Sequence, residues 1–418
     1  MIFRFCLYSI LKNLRFFDPF LAIYLLDAGF TYTEIGSMLG CQRLVTAILE
    51  IPSGIAADRW GRRRTLASSF ITHTIALSIL AMASRSTTKP AALWFFIGLC
   101  LFGGGEALRE GCHKAIMLDY LDFHGRRDEA THVLSVTRMF SKVSSAFAGI
   151  FAGVLLYLFH DYTVLFWLSA AAAAGGAVLL LSYPKYLEGE HQRDRSNGVE
   201  SVVAQEGRLL KMIRNTRMWP MMIRSVIYES QVEIVLQLFL QPFLRLGLGV
   251  AGISMISPSS IDSIRGSGAL IVGANEVFCD GLGAVGARSS AKFEAAVGNR
   301  TRANRLLYWA TAMCIVVIAV CALSIEKLFW PGLIIIGLIT MLQNLRRPIY
   351  VSALNDVANK PLRATILSID NQAIALITAI LMPLMGLAAD HWGLWTICIF
   401  SAAMFALPSR SHRESPLH

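Results

Sequence analysis

The sequence predicts an all-α polytopic membrane protein with about 12 transmembrane helices in two pseudo-symmetric six-helix bundles. Apolar stretches of roughly 18 or more residues recur along nearly the whole chain, and a helix of that length can cross a bilayer. Only 16% of the 418 residues are charged, against about 25% in soluble domains. The mean hydropathy is +0.54. One polar linker separates the apolar stretches into two sets of six.

The predicted spans follow one another with short connections. In the first half they cover residues 4–28, 33–57, 64–84, 91–118, 133–159 and 163–183. In the second half they cover residues 218–246, 267–288, 303–324, 328–354, 364–388 and 391–408. The eighth span has the least distinct start, because the preceding stretch is rich in glycine and serine. These spans define a first bundle, a cytoplasmic linker, a second bundle and a cytoplasmic tail over residues 1–184, 185–217, 218–408 and 409–418.

Basic residues predict the orientation of the chain. Lysine and arginine concentrate after the even-numbered spans, as in the run Arg62 to Arg64, whereas the opposite loops hold few of them. Because short cytoplasmic loops are enriched in these residues, both termini are expected in the cytoplasm. The same loops account for the net charge of +10, so no nucleic-acid partner is predicted.

The two halves of the chain echo each other. The segment VLSVTRMFSK at 133–142 resembles ILSIDNQAIA at 366–375. The segment LSAAAA at 168–173 resembles FSAAMF at 400–405. Repeated halves of six helices are typical of secondary transporters. Chance similarity between such short segments stays an alternative.

The connection between the second and third spans reads GIAADRWGRRRTL over residues 54–66, preceded by LEIPSG. It resembles the loop 2–3 signature of the major facilitator superfamily, roughly G-x-x-x-D-R-x-G-R-R/K. Further similarities are LRFFDPFLAIYLLDAGFT in the first span and RATILSI with GLAADHWG towards the end of the chain. The resemblance implies the fold of that superfamily and a transport activity.

For this loop, the resemblance implies a latch that closes the cytoplasmic side. Asp58 would face the positive N-terminal end of helix 11, with the arginines as its partners or as lipid contacts. Two glycines would permit close helix approach and a tight turn. The predicted cytoplasmic gate motif comprises Gly54, Asp58, Arg59, Gly61, Arg62 and Arg63. Orientation charge and ordinary solvation are the alternative explanation. Asp390 in GLAADHWG falls on the opposite side of the predicted topology, so no latch role is assigned to it.

Ionisable side chains recur inside the predicted spans, where burial in lipid is costly and marks a solute or ion pathway. The fourth span places such residues on one helical face, and the seventh places them at steps of four. The resemblance implies that spans 1, 4, 7 and 10 line a central cavity, and these spans carry the densest polar stripes. The predicted substrate or proton pathway comprises Arg15, Asp18, Glu106, Arg109, Glu110, His113, Glu229, Glu233, Gln237, Gln343, Arg347 and Tyr350.

Internal ion pairing that fixes helix packing is the alternative role for these residues. For Arg138, Lys142 and Asp280 the two interpretations stay balanced. A cavity with both signs of charge favours a small polar or charged solute. Carboxylates inside the membrane, together with His113, a residue type whose ordinary pKa is near neutrality, motivate the hypothesis of proton coupling.

The sequence thus predicts a secondary active transporter, not an enzyme, that works by alternating access. It contains neither a G-x-x-x-x-G-K-[ST] phosphate loop nor an H-E-x-x-H motif, so no cofactor and no metal are expected. GGGEAL at 103–108 is interpreted as a helix-packing segment. The expected setting is a bacterial inner (plasma) membrane, with the lipid bilayer and a small-molecule substrate as partners and the chain as a monomer.

Three alternatives stay open. The first is efflux of drugs or other amphiphiles, which is weakened because the fifth span, SSAFAGIFAGVLL, lacks the glycine–proline signature of drug–proton antiporters. The second is a transporter-like receptor, although the linker and the tail contain no recognisable signalling module. The third is a membrane-embedded transferase, for which no nucleophile can be placed.

Overall fold

A computed structural model of the chain describes residues 1–85, 90–109, 112–126, 129–184, 218–253, 267–357 and 363–406. Within these ranges the protein is built from α-helices and contains no strand. Nine helical stretches in the described residues are long and apolar enough to cross a membrane. The all-α membrane fold predicted from the sequence is confirmed.

The first half of the chain folds into eight helices. They are α1 (Ile2–Asn13), α2 (Leu21–Asp27), α3 (Tyr32–Trp60), α4 (Arg62–Ala83), α5 (Pro90–Arg109), α6 (Cys112–Phe123), α7 (Ala130–Phe159) and α8 (Thr163–Leu181). The described second half folds into seven. They are α9 (Met218–Ile234), α10 (Leu240–Val250), α11 (Gly268–Val297), α12 (Arg300–Leu323), α13 (Ile325–Val357), α14 (Arg363–Trp392) and α15 (Trp395–Ala406).

Each of the twelve predicted spans overlaps at least one helix, and three of them fall outside the nine apolar stretches. The first span is broken into α1 and α2. The second, α3, carries polar residues at Gln42, Arg43 and Glu50 that reduce its hydropathy. The last, α15, has only 12 residues. The seventh span is continuous but contains a π-helical turn at Val235–Phe239 between α9 and α10.

The break in the first span has a local cause. A 3-10 turn at Asp18–Phe20 carries Pro19 in its first turn. Proline lacks an amide hydrogen and disfavours the α conformation of the residue before it, so the helix cannot run through this point. The interruption places Arg15 and Asp18 beside each other, with Arg15 Nη1 3.7 Å from Asp18 Oδ2.

The chain forms two compact units. The first comprises Met1–Ala28, Met38–Ser201 and Ile253–Val277, and the second comprises Gly29–Ser37, Val202–Gly252 and Phe278–His418. The start of α3 therefore belongs to the second unit, and the start of α11 belongs to the first. The predicted linker at 185–217 and the predicted tail at 409–418 lie outside the described residues. The predicted bundle boundaries stay a prediction.

Each unit has an apolar helical core. In the first unit α4 packs against α5 and α8, and α1 packs against α7. In the second unit α12 packs against α13 and α15, and α9 packs against α14. An aromatic group there joins Tyr228, Tyr308 and Phe405, with the Tyr308 and Phe405 ring centroids 4.7 Å apart. The Tyr308 hydroxyl donates to the Phe405 carbonyl at 3.0 Å, so the buried polar atom is satisfied.

The outer faces of several helices are apolar. On α12, Met313, Val316 and Val320 are about half exposed or more, and on α14 so are Ile380 and Leu384. These residues recur at helical spacing and form apolar stripes. Large apolar patches of this kind are rare on protein surfaces that face water. Their exposure is consistent with a lipid surrounding, as the predicted membrane class requires.

The echoed segments occupy equivalent positions in two helices. Helices α7 and α14 each have 30 residues, and each echoed segment begins three residues after its helix starts. The structure thus places the two similar sequences at the same point of two equally long helices.

Candidate solute-binding site

Glu106 is the centre of a charged cluster in the first unit. Its carboxylate accepts hydrogen bonds from the guanidinium groups of Arg15 and Arg109. The Nε2 atom of His73 lies 3.2 Å from Glu106 Oε1. Arg109 and His73 are buried, whereas 21% of the Glu106 side chain is exposed. The carboxylate therefore compensates two positive charges that the surrounding helices have largely removed from water.

The glycine run before Glu106 allows this arrangement. A Cβ atom on Gly105 would lie 2.6 Å from the imidazole of His73, so only glycine lets that ring approach α5. The Ser69 hydroxyl donates to the Gly105 carbonyl at 2.7 Å, and Gly103 faces the backbone carbonyl of Gln42. The packing role predicted for GGGEAL is thus observed.

A cavity of about 170 Å³ adjoins the Glu106 cluster within the first unit. Its wall carries both signs of charge. Arg15 and Arg109 are among its basic residues, and Asp18 and Glu276 are its acidic residues. The full lining comprises Lys12, Asn13, Arg15, Asp18, Pro19, Arg109, Ser145, Ala148 and Glu276. Three of the predicted pathway residues, Arg15, Asp18 and Arg109, therefore line one cavity. Glu106 accepts a hydrogen bond from each of the two arginines.

Glu229 on α9 is the centre of a second cluster, in the second unit. Its Oε1 atom lies 3.1 Å from Arg346 Nη1 and 3.7 Å from Arg347 Nη1. The Gln343 amide donates to Oε2 at 3.1 Å. The Arg346 guanidinium also lies over the ring of Tyr228, 4.0 Å from its centroid, which adds a cation–π contact. Glu229 and Arg346 are both buried.

Asp370 on α14 completes the second cluster. The Tyr350 hydroxyl donates to Asp370 Oδ1 at 2.9 Å, and Arg347 Nη1 lies 3.5 Å from Asp370 Oδ2. The second terminal nitrogen of Arg347, Nη2, donates to Asn371 Oδ1 at 2.9 Å. The Asp370 side chain is completely buried. Three predicted residues, Glu229, Gln343 and Arg347, are brought together here, with Tyr350 one step removed.

The sequence-based pathway omitted Asp370 and His73, although a signal for each was present. Asp370 is the only acidic residue in the predicted span 364–388. His73 is the only ionisable residue between positions 65 and 84. A lone ionisable residue inside an apolar span is a functional indicator in its own right, because its burial is costly without a partner.

The remaining predicted pathway residues lie elsewhere. His113 stacks on the ring of Tyr8, with centroids 3.5 Å apart, and meets the edge of Phe5. It does not belong to the cavity lining described above. Glu233 accepts a hydrogen bond from Gln237, one helical turn further on, at 3.2 Å. Glu110 lies outside the described residues.

The structure describes the local geometry of part of the predicted gate motif, and its latch role stays a prediction. Gly61 has a φ of 93°, the left-handed region that favours glycine, and it forms the turn between α3 and α4. A Cβ on Gly54 would meet no described atom within 4 Å, so the close helix approach expected there is not observed. Arg59 is exposed, and the side chain of Asp58 lies outside the described part of the chain.

Two arginines of the motif have partners in the first unit. Arg62 donates to Asp119 Oδ2 at 2.5 Å, which links α4 to α6. Arg63 donates to the backbone carbonyls of Tyr183 at 2.6 Å and Leu181 at 3.3 Å, where α8 ends. A cation at a helix C-terminus satisfies carbonyls that lack partners within the helix. The partner of Asp58 stays a prediction.

A multi-pass helical protein with paired charges buried between its helices has the form of a membrane transporter. The family model of the Major Facilitator Superfamily matches residues 5–376, and the chain belongs to that superfamily. Family membership confirms the sequence-based assignment and places the chain with transporters rather than with enzymes.

Individual relatives are more distant. Over 112 residues the chain is 29% identical to the uncharacterized MFS-type transporter YxaM of Bacillus subtilis (strain 168), a match that covers 26% of this chain and 27% of that protein. The match thus spans about a quarter of the relative's length. The structure of the nucleoside transporter NupG is similar with a TM-score of 0.72, 15% identity, and coverage of 98% of this chain and 99% of that one. The structure of the D-xylose-proton symporter is similar with a TM-score of 0.68 and 12% identity, and the match covers 98% of this chain and 96% of that one. At these identities the likeness shows the fold.

Proposed function

We propose that this chain is a secondary active transporter that moves a small polar or charged solute across a bacterial inner membrane by alternating access, with protons as the coupling ion. The supporting observation is the pair of charged clusters around Glu106 and Glu229, each buried within one compact unit. Burying ionisable groups inside membrane helices is costly, and helices can pack without them. A solute pathway is a function that accounts for their presence.

The cavity supports a small solute. Its volume of about 170 Å³ is below the roughly 300–1,000 Å³ of drug-sized sites. Its lining presents guanidinium and carboxylate groups together, which suits a polar or zwitterionic molecule and gives little apolar surface to an amphiphile. The names of similar solved structures, a nucleoside transporter and a D-xylose-proton symporter, suggest the solutes to screen first.

The proposed roles follow the contacts. Arg15, Asp18 and Arg109 contact the solute from the cavity wall, while Glu106 holds both arginines in place. Gln343 and Arg347 are the proposed pathway residues of the second unit, where both contact Glu229. His113, packed between aromatic rings, is assigned a supporting role in this pathway.

The test is a ligand screen followed by flux. The purified full chain is heated with nucleosides, sugars, amino acids, peptides, siderophores and hydrophobic cations, and stabilising compounds are then assayed for uptake into proteoliposomes. We expect polar solutes to stabilise the protein and to accumulate only when a pH gradient is imposed. Competition by many unrelated hydrophobic cations would support drug efflux instead. A flux that does not change with the gradient would remove proton coupling, and binding without flux would support a receptor.

A further inference from the structure

Two cysteines meet where α3 packs against α5. The Sγ atoms of Cys41 on α3 and Cys100 on α5 lie 3.2 Å apart, a distance at which one thiol donates a hydrogen bond to the other. The two residues are 59 positions apart in the chain, and the sequence contains no C-x-x-C pair. The fold therefore creates a pair of thiols that the sequence pattern does not indicate.

Contacts next to the thiol pair hold the two helices close together. Gly103 faces the backbone carbonyl of Gln42, with no room for a Cβ atom between the helices. The Thr46 hydroxyl donates to the Gly103 carbonyl at 3.0 Å, and the Ser53 hydroxyl donates to the Ala107 carbonyl at 2.8 Å. These contacts join α3 to the backbone of α5, so the two thiols are held opposite each other by more than their own interaction.

The two thiols are close enough to form a disulfide without a change of fold. An S–S bond is about 2.05 Å long, so the two Sγ atoms need to approach each other by about 1 Å. Moderate rotations of the two side chains about χ1 cover such a distance. The bond is therefore within reach of side-chain rotation alone.

The thiol pair lies at the edge of the helix contact and not deep in the core. Both of its cysteines are partly exposed, whereas five of the other six cysteines are buried. On α3, Ile48 lies two turns further along the face of Cys41 and is exposed. On α5, Leu101 next to Cys100 is exposed as well. Because these exposed neighbours are apolar and belong to predicted spans, a reagent that reaches the thiols has to be small and uncharged.

We infer that Cys41 and Cys100 form a redox-modification site, at which a small neutral peroxide converts the two thiols into a disulfide that ties α3 to α5. One sulfur attacks the peroxide, so that an S–O bond forms, the O–O bond breaks and a water leaves. The second sulfur then displaces the oxygen of this sulfenic acid as another water, and the S–S bond forms. The two thiols lose two electrons and two protons, and the peroxide gains them.

Two properties distinguish this modification from other oxidised forms of cysteine. A disulfide is reversed by thiol reductants, whereas sulfinic and sulfonic acids are not. It also closes a long loop between α3 and α5, which restricts the unfolded chain and stabilises the folded one. Oxidation at this site therefore raises the melting temperature, and reduction returns it to the starting value.

The test counts thiols in the purified full chain and involves no solute. The reduced protein in lipid vesicles is treated with hydrogen peroxide, denatured and labelled with a maleimide, and its peptides are mapped by mass spectrometry without reduction. We expect the loss of two of the eight thiols, a peptide pair joined through Cys41 and Cys100, and recovery of both thiols with dithiothreitol. Cys314→Ser removes the other partly exposed cysteine and is the matched control, which should react as the wild type does.

Replacing either member of the pair should abolish the response. In Cys41→Ser and in Cys100→Ser no joined peptide should form, and peroxide should no longer raise the melting temperature. It should raise that temperature in the wild type and in Cys314→Ser. If a serine variant does not fold, the peptide map of the wild-type chain decides the question by itself.

Several results would overturn the inference. They are a folded wild-type chain that keeps all eight thiols under peroxide, a disulfide that joins other cysteines, a bond between two chains, and a serine variant stabilised by peroxide as much as the wild type. Because no transport is measured, failure here leaves the proposed function standing, and a failed flux assay leaves the thiol pair standing.

Discussion

Asp390 of α14 caps the first turn of α3 through Thr33, whose backbone amide and hydroxyl donate to Asp390 Oδ2 at 2.8 and 2.5 Å. The amide of Tyr32 donates to the other carboxylate oxygen at 2.9 Å. The two helices meet without intervening side chains, because Gly386 faces the Tyr32 carbonyl and Gly36 faces the Met382 carbonyl. The first amides of a helix lack acceptors within it, and the Asp390 carboxylate accepts hydrogen bonds from two of these amides. The sequence predicts no latch role for this residue, and the structure gives it a capping role.

Replacing Asp390 by alanine is expected to lower the free energy of unfolding by about 1 kcal/mol, the usual effect of losing an N-terminal cap. Asp390→Asn keeps an oxygen acceptor and should lose only a fraction of that amount. Thermal unfolding in detergent, followed by tryptophan fluorescence, measures both variants against the wild type. An alanine variant as stable as the asparagine variant would show that the cap contributes nothing measurable.

Glu106→Gln should be among the most damaging single changes in the first unit. It leaves Arg15 and Arg109 without their shared counter-charge, and breaking a buried ion pair costs about 3 kcal/mol or more. Asp119→Asn is the matched control, because its pair with Arg62 is 42% exposed on the carboxylate side and contributes less than about 1 kcal/mol. The free energies of unfolding of the two variants, measured with denaturant, should therefore differ by about 2 kcal/mol or more. Equal losses would mean that Glu106 is not a buried counter-charge.

The contact between α7 and α11 in the first unit depends on glycine. A Cβ on Gly273 would lie 2.5 Å from the backbone carbonyl oxygen of Gly149, an atom that cannot move aside cheaply. Gly273→Ala is therefore expected to destabilise the protein by about 1–3 kcal/mol through overpacking. Gly281 lies two turns further along α11 and is exposed, and its Cβ would meet no described atom within 4 Å. Gly281→Ala should leave stability unchanged or raise it by up to about 1 kcal/mol. Thermal unfolding of both variants tests this, and the same sign of effect at both positions would contradict it.

The Arg126–Glu129 pair gives a pH dependence outside the membrane. Arg126 donates two hydrogen bonds to the Glu129 carboxylate, at 2.7 and 2.6 Å, and these bonds lower the pKa of Glu129. Because the pKa in the folded state lies below that of the unfolded chain, the stabilisation is present above the unfolded pKa and is lost as pH falls through the folded one. The pair is exposed, so its effect is small and weakens with salt. The melting temperature of Glu129→Gln should lie slightly below that of the wild type at neutral pH and low salt, and the gap should close in acid. A gap that widens in acid would contradict this sign.

The family, the helix positions and many of the charged residues could be predicted from the sequence because each depends on local information. Apolar length marks the spans, and helical spacing puts Glu106 and Arg109 on one face. Partner choice across helices is not local. Nothing in the spacing shows that Glu106 collects Arg15 and His73, or that Asp370 faces Tyr350 and Arg347. His113 shows the same limit. Helical spacing places it on the face of Glu106, but it does not show that His113 packs against the rings of Phe5 and Tyr8.

The transport prediction contrasts two ways of changing the second cluster. Glu229→Gln keeps the size of the side chain but removes the charge that Arg346 and Arg347 share, so solute uptake into proteoliposomes should fall to the level of empty vesicles while expression persists. Arg109→Ala should have the same effect from the first cluster, because it removes a cavity-lining guanidinium. Gly281→Ala, away from both clusters, is the control and should transport as the wild type does. The two charge variants must also retain a cooperative thermal transition, since loss of fold would explain loss of uptake equally well. Full uptake by both of them would show that the clusters pack the helices and do not handle the solute.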